Sequence, residues 1–504
     1  MNAIEKYGLF EQKVTAPKGD CVAGGAVFTS GSLRMEIPLF WDGDGYVARF
    51  MPGETGEWRY EIVVDGATAA GAFTCVDNTG NNHGPVVTEG YHFKYADGTR
   101  YIPFGTTCYA WIHQPQELQE NTLESLKAAP FNKIRMCVFP KSMPYNNDEP
   151  EIFPFNKKAD GSWDVNNPDE RFWRQLDKRI GQLMELQIET DLIIFHPYDK
   201  WGFSEFIQEE SLIYLNYVIA RLAAYRNMWW SLANEYDLVF AKSYEYWDEY
   251  GQTIKNKDPY HHLTSIHNCF ACYEKKDWMT HLSVQSFDLY RIGIWRQDYE
   301  LPVVIDECGY EGNIEFNWGN ISAFEMVHSF WMSVARGGFC THGETFYRED
   351  EVLWWAKGGT LLGKSAPRIA FLKELLYSLP ADMNPVNRVH INPNEQTDDM
   401  PPLDGFLTAL SRLPEMDRIH RTMQLFPSEI TDGNYRLQYF GHQCPAVMDI
   451  LLPDDGHFRV EIIDVWEMTC TVVLESAQGK TRIGMPGKEG IALLMTRLDG
   501  VSLK

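Results

Sequence analysis

Two carboxylates with chemically useful neighbours stand out in this chain of 504 residues. Glu235 follows the apolar run Met228-Trp-Trp-Ser-Leu-Ala233 and is preceded by Asn234, and Glu307 follows Leu301-Pro-Val-Val-Ile305 and is preceded by Asp306. Both runs read as buried strands, so each acid stands where a strand ends. One carboxyl group to protonate a leaving oxygen and a second to attack or shield an anomeric carbon are the minimum machinery for cleaving a glycosidic bond. The interval between the acids leaves room for two further strand and helix units. That fits strands four and seven of a parallel barrel, whose strand ends converge on one face. Alternation along Val303-Val-Ile-Asp-Glu307 sends neighbours to opposite sides, so only one of Asp306 and Glu307 is expected on the axis. Periodicity leaves open which. The bland alternatives are a helix-capping Glu235 and a solvated Glu307.

The elements that must position these acids are legible as alternating runs. Tyr101–Cys108 reads as strand one, Phe131–Phe139 as strand two, Asp191–Phe195 as strand three, His262–His267 as strand five and His281–Phe287 as strand six. Residues 301–306 make strand seven and Gly338–Glu344 strand eight. Segments with apolar residues at helical spacing lie between them, such as Phe172–Met184, and a last helix over Ser365–Tyr377 would close the unit. Alternating strands and helices predict an α/β fold, a (β/α)8 TIM barrel over residues 91–382. On both sides the period changes to two. In residues 1–90 the runs Leu33–Ile37, Tyr46–Phe50 and Trp58–Val64 are separated by Asp42-Gly-Asp-Gly45 and Asp65-Gly66, as hairpins require. They predict a small β-sandwich, with the turn formers of 80–90 as its linker. Beyond a Pro-rich stretch near 380–402, residues 383–504 return to strand alternation at Tyr435–Tyr439, His457–Ile463 and Ile491–Arg497, predicting a second sandwich.

Composition narrows the partners. A chain of this length suggests two or three domains. Hydrophobic residues make up 44% and charged ones 23%, the balance of a water-soluble globular protein, and no apolar run of about 18 residues suggests a membrane span. A formal net charge of −25 works against binding a phosphate backbone, so nucleic acid is excluded and neutral sugars fit better than anionic polysaccharides. The start, Met1-Asn-Ala-Ile-Glu-Lys-Tyr-Gly-Leu-Phe10, has no basic lead into an apolar core and no small-residue cleavage site, giving the expectation of a cytoplasmic enzyme. Of ten scattered cysteines, Cys75, Cys108, Cys137, Cys340 and Cys470 lie in strand-like runs and are expected as small buried hydrophobes, without a disulfide framework. Cys269-Phe-Ala-Cys272 has half the spacing of a zinc site, but no second pair follows, so it reads as structural. No metal or organic cofactor is called for, and a homo-oligomer is neither required nor excluded.

An Asn-Glu pair ending strand four and a lone Glu ending strand seven resemble the pattern of clan A, the retaining glycosidases on the (β/α)8 barrel. The flanks resemble one group of bacterial barrel glycosidases, the apiosidase-like group. Phe40-Trp-Asp-Gly-Asp-Gly-Tyr-Val-Ala-Arg-Phe-Met-Pro52, with Gly56-Glu-Trp58 and Gly71-Ala-Phe73, is similar to its N-terminal immunoglobulin-like module, and Asp464-Val-Trp-Glu-Met-Thr469 resembles its C-terminal β-sandwich. The resemblance therefore spans the whole chain. It implies Glu307 as nucleophile, Glu235 as general acid/base, Asn234 as the residue that binds the sugar 2-hydroxyl, and Arg135 as the cation that keeps Glu307 ionised. The implied activity is that of a retaining β-glycosidase, a hydrolase of carbohydrate metabolism using double displacement between carboxyl groups about 5–5.5 Å apart. Family members remove terminal sugars, apiose among them, so exo release of a terminal neutral sugar from an oligosaccharide or plant glycoside is expected.

Further candidates for the rim are His196 and Tyr198 after strand three, Gln285 at the end of strand six, His342 and Glu344 at the end of strand eight, and Trp354, chosen over Trp355, in the loop beyond. Glu344 would grip two hydroxyls of a terminal sugar. Trp111 either stacks on a sugar face or packs the core, and His196 either meets a hydroxyl or orients Asn234, or is simply satisfied by its neighbours. The rival classes are a carbohydrate-binding protein on a degenerate barrel and a transglycosidase with the same residues.

Overall fold

The computed structural model describes residues 3–386, 404–425 and 427–499. Its centre is a ring of parallel strands: β1 (Phe104–Thr107), β2 (Lys133–Cys137), β3 (Glu189–Phe195), β4 (Met228–Ala233), β5 (Leu263–Ser265), β6 (Leu282–Gln285), β7 (Val303–Glu307) and β8 (Phe339–His342). Pairing runs β5-β4-β3-β2-β1-β8-β7-β6, and the bridge His267↔Ser283 joins the two ends into a barrel. All eight expected strands are present, in order. Their runs are almost wholly buried, as strands covered on both faces must be.

Helices α1 (Gln116–Ala128), α2 (Glu170–Glu185), α3 (Gln208–Leu222), α4 (Tyr244–Lys257), α5 (Ile292–Tyr299), α6 (Ala323–Ala335) and α7 (Ser365–Ser378) form the outer layer. The α2 pattern shows why. Asp169 caps its first turn by accepting Arg171 N, and Phe172, Trp173, Leu176, Ile180 and Leu183 bury one face. No helix connects β5 to β6, where residues 266–281 run as a loop. That shortened crossover brings His267, Asn268 and Cys269 beside the ends of β4 and β6.

The barrel interior carries charge where branched apolar side chains are usual. Lys133 Nζ lies 2.9 Å from Asp191 and 2.6 Å from Asp306, while Arg135 Nη1 lies 3.0 Å and 3.1 Å from the same two carboxylates. All four side chains are fully buried. Two cations facing two anions leave no net charge in the barrel, and Ser283 and Thr341 hydroxyls, donating to Asp306 at 2.5 and 2.7 Å, complete its shell. Gly105 makes the arrangement possible, since a Cβ there would stand 2.9 Å from Lys133 Cε and 2.6 Å from Thr341 Oγ1.

Below the barrel a three-stranded sheet, Val86–Glu89, His92–Tyr95 and Arg100–Tyr101, inserts Phe93 against Trp229 and Phe339 at centroid distances of 5.2 and 5.3 Å. The division expected at residue 90 therefore falls inside one hairpin, Glu89 pairing with His92. The N-terminal region is a single seven-stranded sheet, and Phe10, Phe28, Phe50 and Phe73 stack in its core. It docks through Arg49, which bonds Asp177 on α2 at 3.0 Å and the Arg221 carbonyl on α3 at 2.5 Å.

The C-terminal region pairs a six-stranded sheet with the ribbon Val447–Leu451 and Lys480–Gly484, over a core that includes Ile450, Phe458, Ile483 and Leu493. Two helices, Asp404–Ser411 and Glu415–Leu425, precede it within a region expected to be all strand. The run Glu415-Met-Asp-Arg-Ile-His-Arg-Thr-Met-Gln-Leu425 has no Gly or Pro and is rich in helix formers. Most of the Pro-rich stretch near 380–402 lies outside the described residues. All ten cysteines are free, and Cys470 is exposed on its strand, contrary to the expectation of burial. Among the described residues no helix is long and apolar enough to cross a membrane.

Removing one partner of a buried ion group strands the others, at a cost of about 3–5 kcal/mol. Lys133→Met should therefore lower the denaturation midpoint markedly in a urea titration followed by tryptophan fluorescence. An unchanged midpoint would show that the quartet is not a stability determinant.

Candidate active site

Glu235 and Glu307 meet at the C-terminal mouth of the barrel. Two local departures from regular strand geometry aim them there. Glu235 ends β4 in the left-handed region at φ 50°, a strained conformation for a side chain with a Cβ. Tyr236 N, bonded to His267 O at 2.9 Å, and Leu238 N, bonded to Glu235 O at 2.9 Å, hold the turn. On β7 the register against β6 slips, Val284 pairing with Ile305 but Gln285 with Glu307. Asp306 is the extra residue of this bulge, so two adjacent acids escape strict alternation. Asp306 points into the ionic quartet, and Glu307 turns to the mouth.

The two carboxyl groups sit in opposite electrostatic settings. Burial raises the Glu235 pKa above the ordinary carboxylate range and the negative charge of Glu307 adds to it, partly offset by Lys141, a Tyr198 hydrogen bond and His267. Burial acts on Glu307 in the same sense, but His267, Lys141 and the Tyr109 hydroxyl outweigh it and hold that group low. Tyr109 donates to Glu307 Oε1 at 2.6 Å, and His267 Nε2 lies 3.4 Å from the same oxygen. On the Glu235 side, Asn234 Nδ2 donates to Oε2 at 3.2 Å.

Lys141 is the unexpected member. It is 2% exposed, and its ammonium group sits 3.8 Å above the Tyr109 ring and 4.5 Å above the Tyr198 ring. A desolvated ammonium held on two π faces is a fixed positive charge, and it acts on both acids. Its position two residues past the expected end of strand two gave no periodic signal. Tyr109 and His267, likewise unexpected, lie just beyond β1 and β5 on runs that the sequence shows only as strand ends.

Arg135 does not touch Glu307, as the resemblance had implied. Its fork is occupied by Asp191, Asp306 and Ser283, and Nη2 donates to Asn234 Oδ1 at 3.3 Å. Besides acting on Glu307 directly through its charge, it is joined to the acid by a chain of hydrogen bonds. Asp306 accepts from Ser283 Oγ, Ser283 bonds His267 Nδ1 at 3.0 Å, and His267 Nε2 faces Glu307.

Of the rim candidates, Tyr198 and Gln285 are at the site. Tyr198 bonds Glu235, and Gln285 stands in register with Glu307, with Oε1 buried and unbonded among the described residues. Asn268 fixes this corner by accepting Gln285 N at 3.2 Å and donating to Gln285 O at 3.4 Å. His196 is buried, with Nε2 3.2 Å from the Phe139 carbonyl, and burial pushes its pKa down to about 3. It makes no bond to Asn234.

The structure places four candidates elsewhere. Trp111 is fully buried with its indole N–H on Gln119 O at 3.1 Å, so it packs the core. Trp354 is buried too, donating to Thr106 Oγ1 at 2.8 Å. Its neighbour Trp355 is the one beside the site, with ring centroids 6.4 Å from Tyr109, 5.9 Å from Tyr310 and 5.0 Å from the half-exposed Trp318. His342 and Glu344 are buried behind the barrel mouth and close to each other, so Glu344 does not reach the rim. The Cys269–Cys272 segment is a clamped loop. Asp237 accepts the backbone N–H groups of Cys269, Phe270 and Ala271 at 2.7, 2.8 and 3.1 Å.

Lys141→Met removes positive charge from both acids, so both pKa values should rise. For a reaction that needs Glu307 ionised and Glu235 protonated, both limbs of the kcat/KM profile should move to higher pH. A profile that kept its position in the variant would contradict the role given to Lys141.

Three family models match the chain. One described as "Apiosidase-like, catalytic domain" covers residues 87–379, and two described as domains of unknown function cover residues 3–65 (DUF5060) and 425–496 (DUF5605). Among curated proteins none matches. Among solved structures, a candidate glycoside hydrolase from Bacteroides vulgatus ATCC 8482 is 34% identical, with 99% of this chain and 100% of that one covered at a TM-score of 0.86. A glycoside hydrolase family 5 protein from the same organism is 16% identical over 82% of this chain and 94% of its own, at a TM-score of 0.60, a likeness of fold.

Proposed function

The chain belongs to the apiosidase-like catalytic-domain family and is a glycoside hydrolase, and from that premise we propose that it is a retaining exo-β-glycosidase releasing a terminal neutral sugar. The observation that carries this reading is the opposite bias of two acids sharing one mouth, Glu235 raised and Glu307 lowered. Environments that push two carboxyl groups apart assign the acid and the base.

In the first step Glu307, ionised, attacks the anomeric carbon while Glu235 gives its proton to the departing oxygen. The Tyr109 hydroxyl, at 2.6 Å from Oε1, steers which carboxylate oxygen is free to bond the sugar. Ester formation removes the negative charge of Glu307, which had helped keep Glu235 protonated. Glu235 then becomes the better acid and, once deprotonated, takes a proton from the water that releases the sugar. Asn234 is held from both ends, by Arg135 on Oδ1 and by its own bond to Glu235. An amide fixed in this way can meet the 2-hydroxyl without losing further side-chain freedom.

Exo action is supported by the name of the matched family, which refers to release of apiose, and by the partly exposed Trp318, packed against the buried Tyr310 and Trp355. An aromatic face of this kind suits the CH surface of one sugar ring. The negative charge of the whole chain favours a neutral substrate.

A panel of α- and β-nitrophenyl glycosides, furanosides included, tests the proposal. One β-glycoside should be turned over with net retention of configuration. Glu307→Ala should abolish turnover, and Glu235→Ala should lose about 10²–10⁴-fold on substrates with poor leaving groups, while on activated nitrophenyl substrates, whose departure needs no acid, azide should restore rate by forming a β-glycosyl azide. Inversion of configuration, or full activity in Glu307→Ala, would overturn the assignment.

A further inference from the structure

Behind the catalytic mouth, Glu311, His342 and Glu344 converge, with one ligand-type atom from each within 4.8 Å of the others. Glu311 and Glu344 are direct partners in a short parallel ribbon, Glu311–Gly312 with Glu344–Thr345, that extends beyond β7 and β8. They are 3% and 1% exposed, and His342 is fully buried. Two carboxylates side by side out of water repel each other and lose their solvation. Among the described residues neither forms an ion pair with a lysine or arginine. Their compensation is three backbone N–H groups near the start of α7: Lys364 N and Ser365 N on Glu311 at 2.8 and 3.1 Å, and Leu362 N on Glu344 Oε2 at 2.7 Å.

That leaves two buried polar atoms with no hydrogen-bond partner among the described residues, Glu344 Oε1 and His342 Nε2, 3.5 Å apart. The backbone has made room at this point. A Cβ on Gly363 would stand 2.4 Å from Glu311 Oε2 and 2.5 Å from Glu344 Oε1, so only glycine lets both oxygens approach there. His342 is fixed for a ligand role, since Nδ1 is engaged by Thr106 Oγ1 at 3.1 Å and its ring stacks on Phe131 at 4.6 Å. Binding one ring nitrogen to a hydroxyl is how proteins orient the other toward a metal.

We propose that Glu311, His342 and Glu344 form a binding site for one divalent transition ion of the Zn²⁺ or Mn²⁺ class. One imidazole and two carboxylates match the donor preference of these ions, with bonds of about 2.0–2.2 Å and a fourth position for water. Three protein ligands are too few for Ca²⁺, which takes 6–8 oxygens. The ion would neutralise the carboxylate pair and tie the ends of β7 and β8 to the start of α7. Its effect would reach the catalytic mouth through Tyr310, which precedes Glu311 and lies 3.3 Å, hydroxyl to hydroxyl, from Tyr109. The site is separate from the catalytic carboxyl pair, so its test does not depend on the sugar cleaved.

The full-length protein, stripped with a chelator and dialysed, should take up one equivalent of Zn²⁺ or Mn²⁺, measured by elemental analysis. Its melting temperature should rise by about 3–5 °C at an ion concentration roughly a hundred times Kd. Co²⁺ in the same site should give a visible absorption band. Glu344→Gln and, independently, Gly363→Ala should lose the uptake, the band and the thermal shift. The competing account is a proton shared by the buried acids, which a glutamine would mimic. Wild type without stoichiometric uptake, together with a Glu344→Gln protein that melts at or above wild type, would overturn the metal site. Should Glu344→Gln fail to fold, the wild-type titration and Gly363→Ala still decide.

Discussion

The buried quartet of Lys133, Arg135, Asp191 and Asp306 is the constraint on which the catalytic mouth rests. It fills a barrel interior that apolar side chains could have filled more cheaply, since burying four charges gains little net stability even when they are well paired. What it gives is position. Arg135 holds Asn234, Asp306 holds Ser283, and Ser283 holds His267 against Glu307. Each bond is directional, so the two acids are placed by a connected polar frame rather than by packing alone. Gly105 and the bulge at Asp306 are the backbone adjustments that admit this frame.

Above the quartet the same logic sets the charge of each acid. The desolvation that raises Glu235 also acts on Glu307, so burial by itself cannot tell them apart. The difference comes from donors: Tyr109 and His267 reach Glu307, whereas Glu235 receives the amide of Asn234 and the hydroxyl of Tyr198 and feels the charge of Glu307. Lys141 serves both acids and keeps the mouth from carrying two uncompensated negative charges. Its two aromatic partners deny it the freedom to fold back into water. The outer layer contributes indirectly, because the missing helix between β5 and β6 is what lets His267, Asn268 and Cys269 fold inward.

The flanking β-rich regions attach to the barrel's helices through apolar packing, Phe40 on Tyr217 and Tyr439 on Trp331, joined by polar contacts. Arg49 and Arg221 share Asp177, and Arg368 stacks on Trp466 at 3.7 Å while donating to its carbonyl. These polar contacts lie on α2, α3 and α7, away from the mouth. They therefore bear on the stability of the assembly of domains rather than on the chemistry.

The sequence by itself determined the eight strands and their order, because strand burial on both faces writes long apolar runs, and it marked the ends of strands four and seven as the places where acids gather. It also marked one charge, Arg135 within the run Ile134–Phe139, that would need a partner if buried. What it could not decide was where that charge would be spent. The choice between Asp306 and Glu307 depended on a bulge that has no sequence signature. The exchange of Trp354 for Trp355, the burial of Trp111, and the withdrawal of His342 and Glu344 from the rim depended on side-chain direction at strand ends, where alternation stops. Tyr109, Lys141 and His267 escaped notice for a related reason. Their importance lies in contacts between residues far apart in the chain, and only the closed barrel brings those residues within reach of one another.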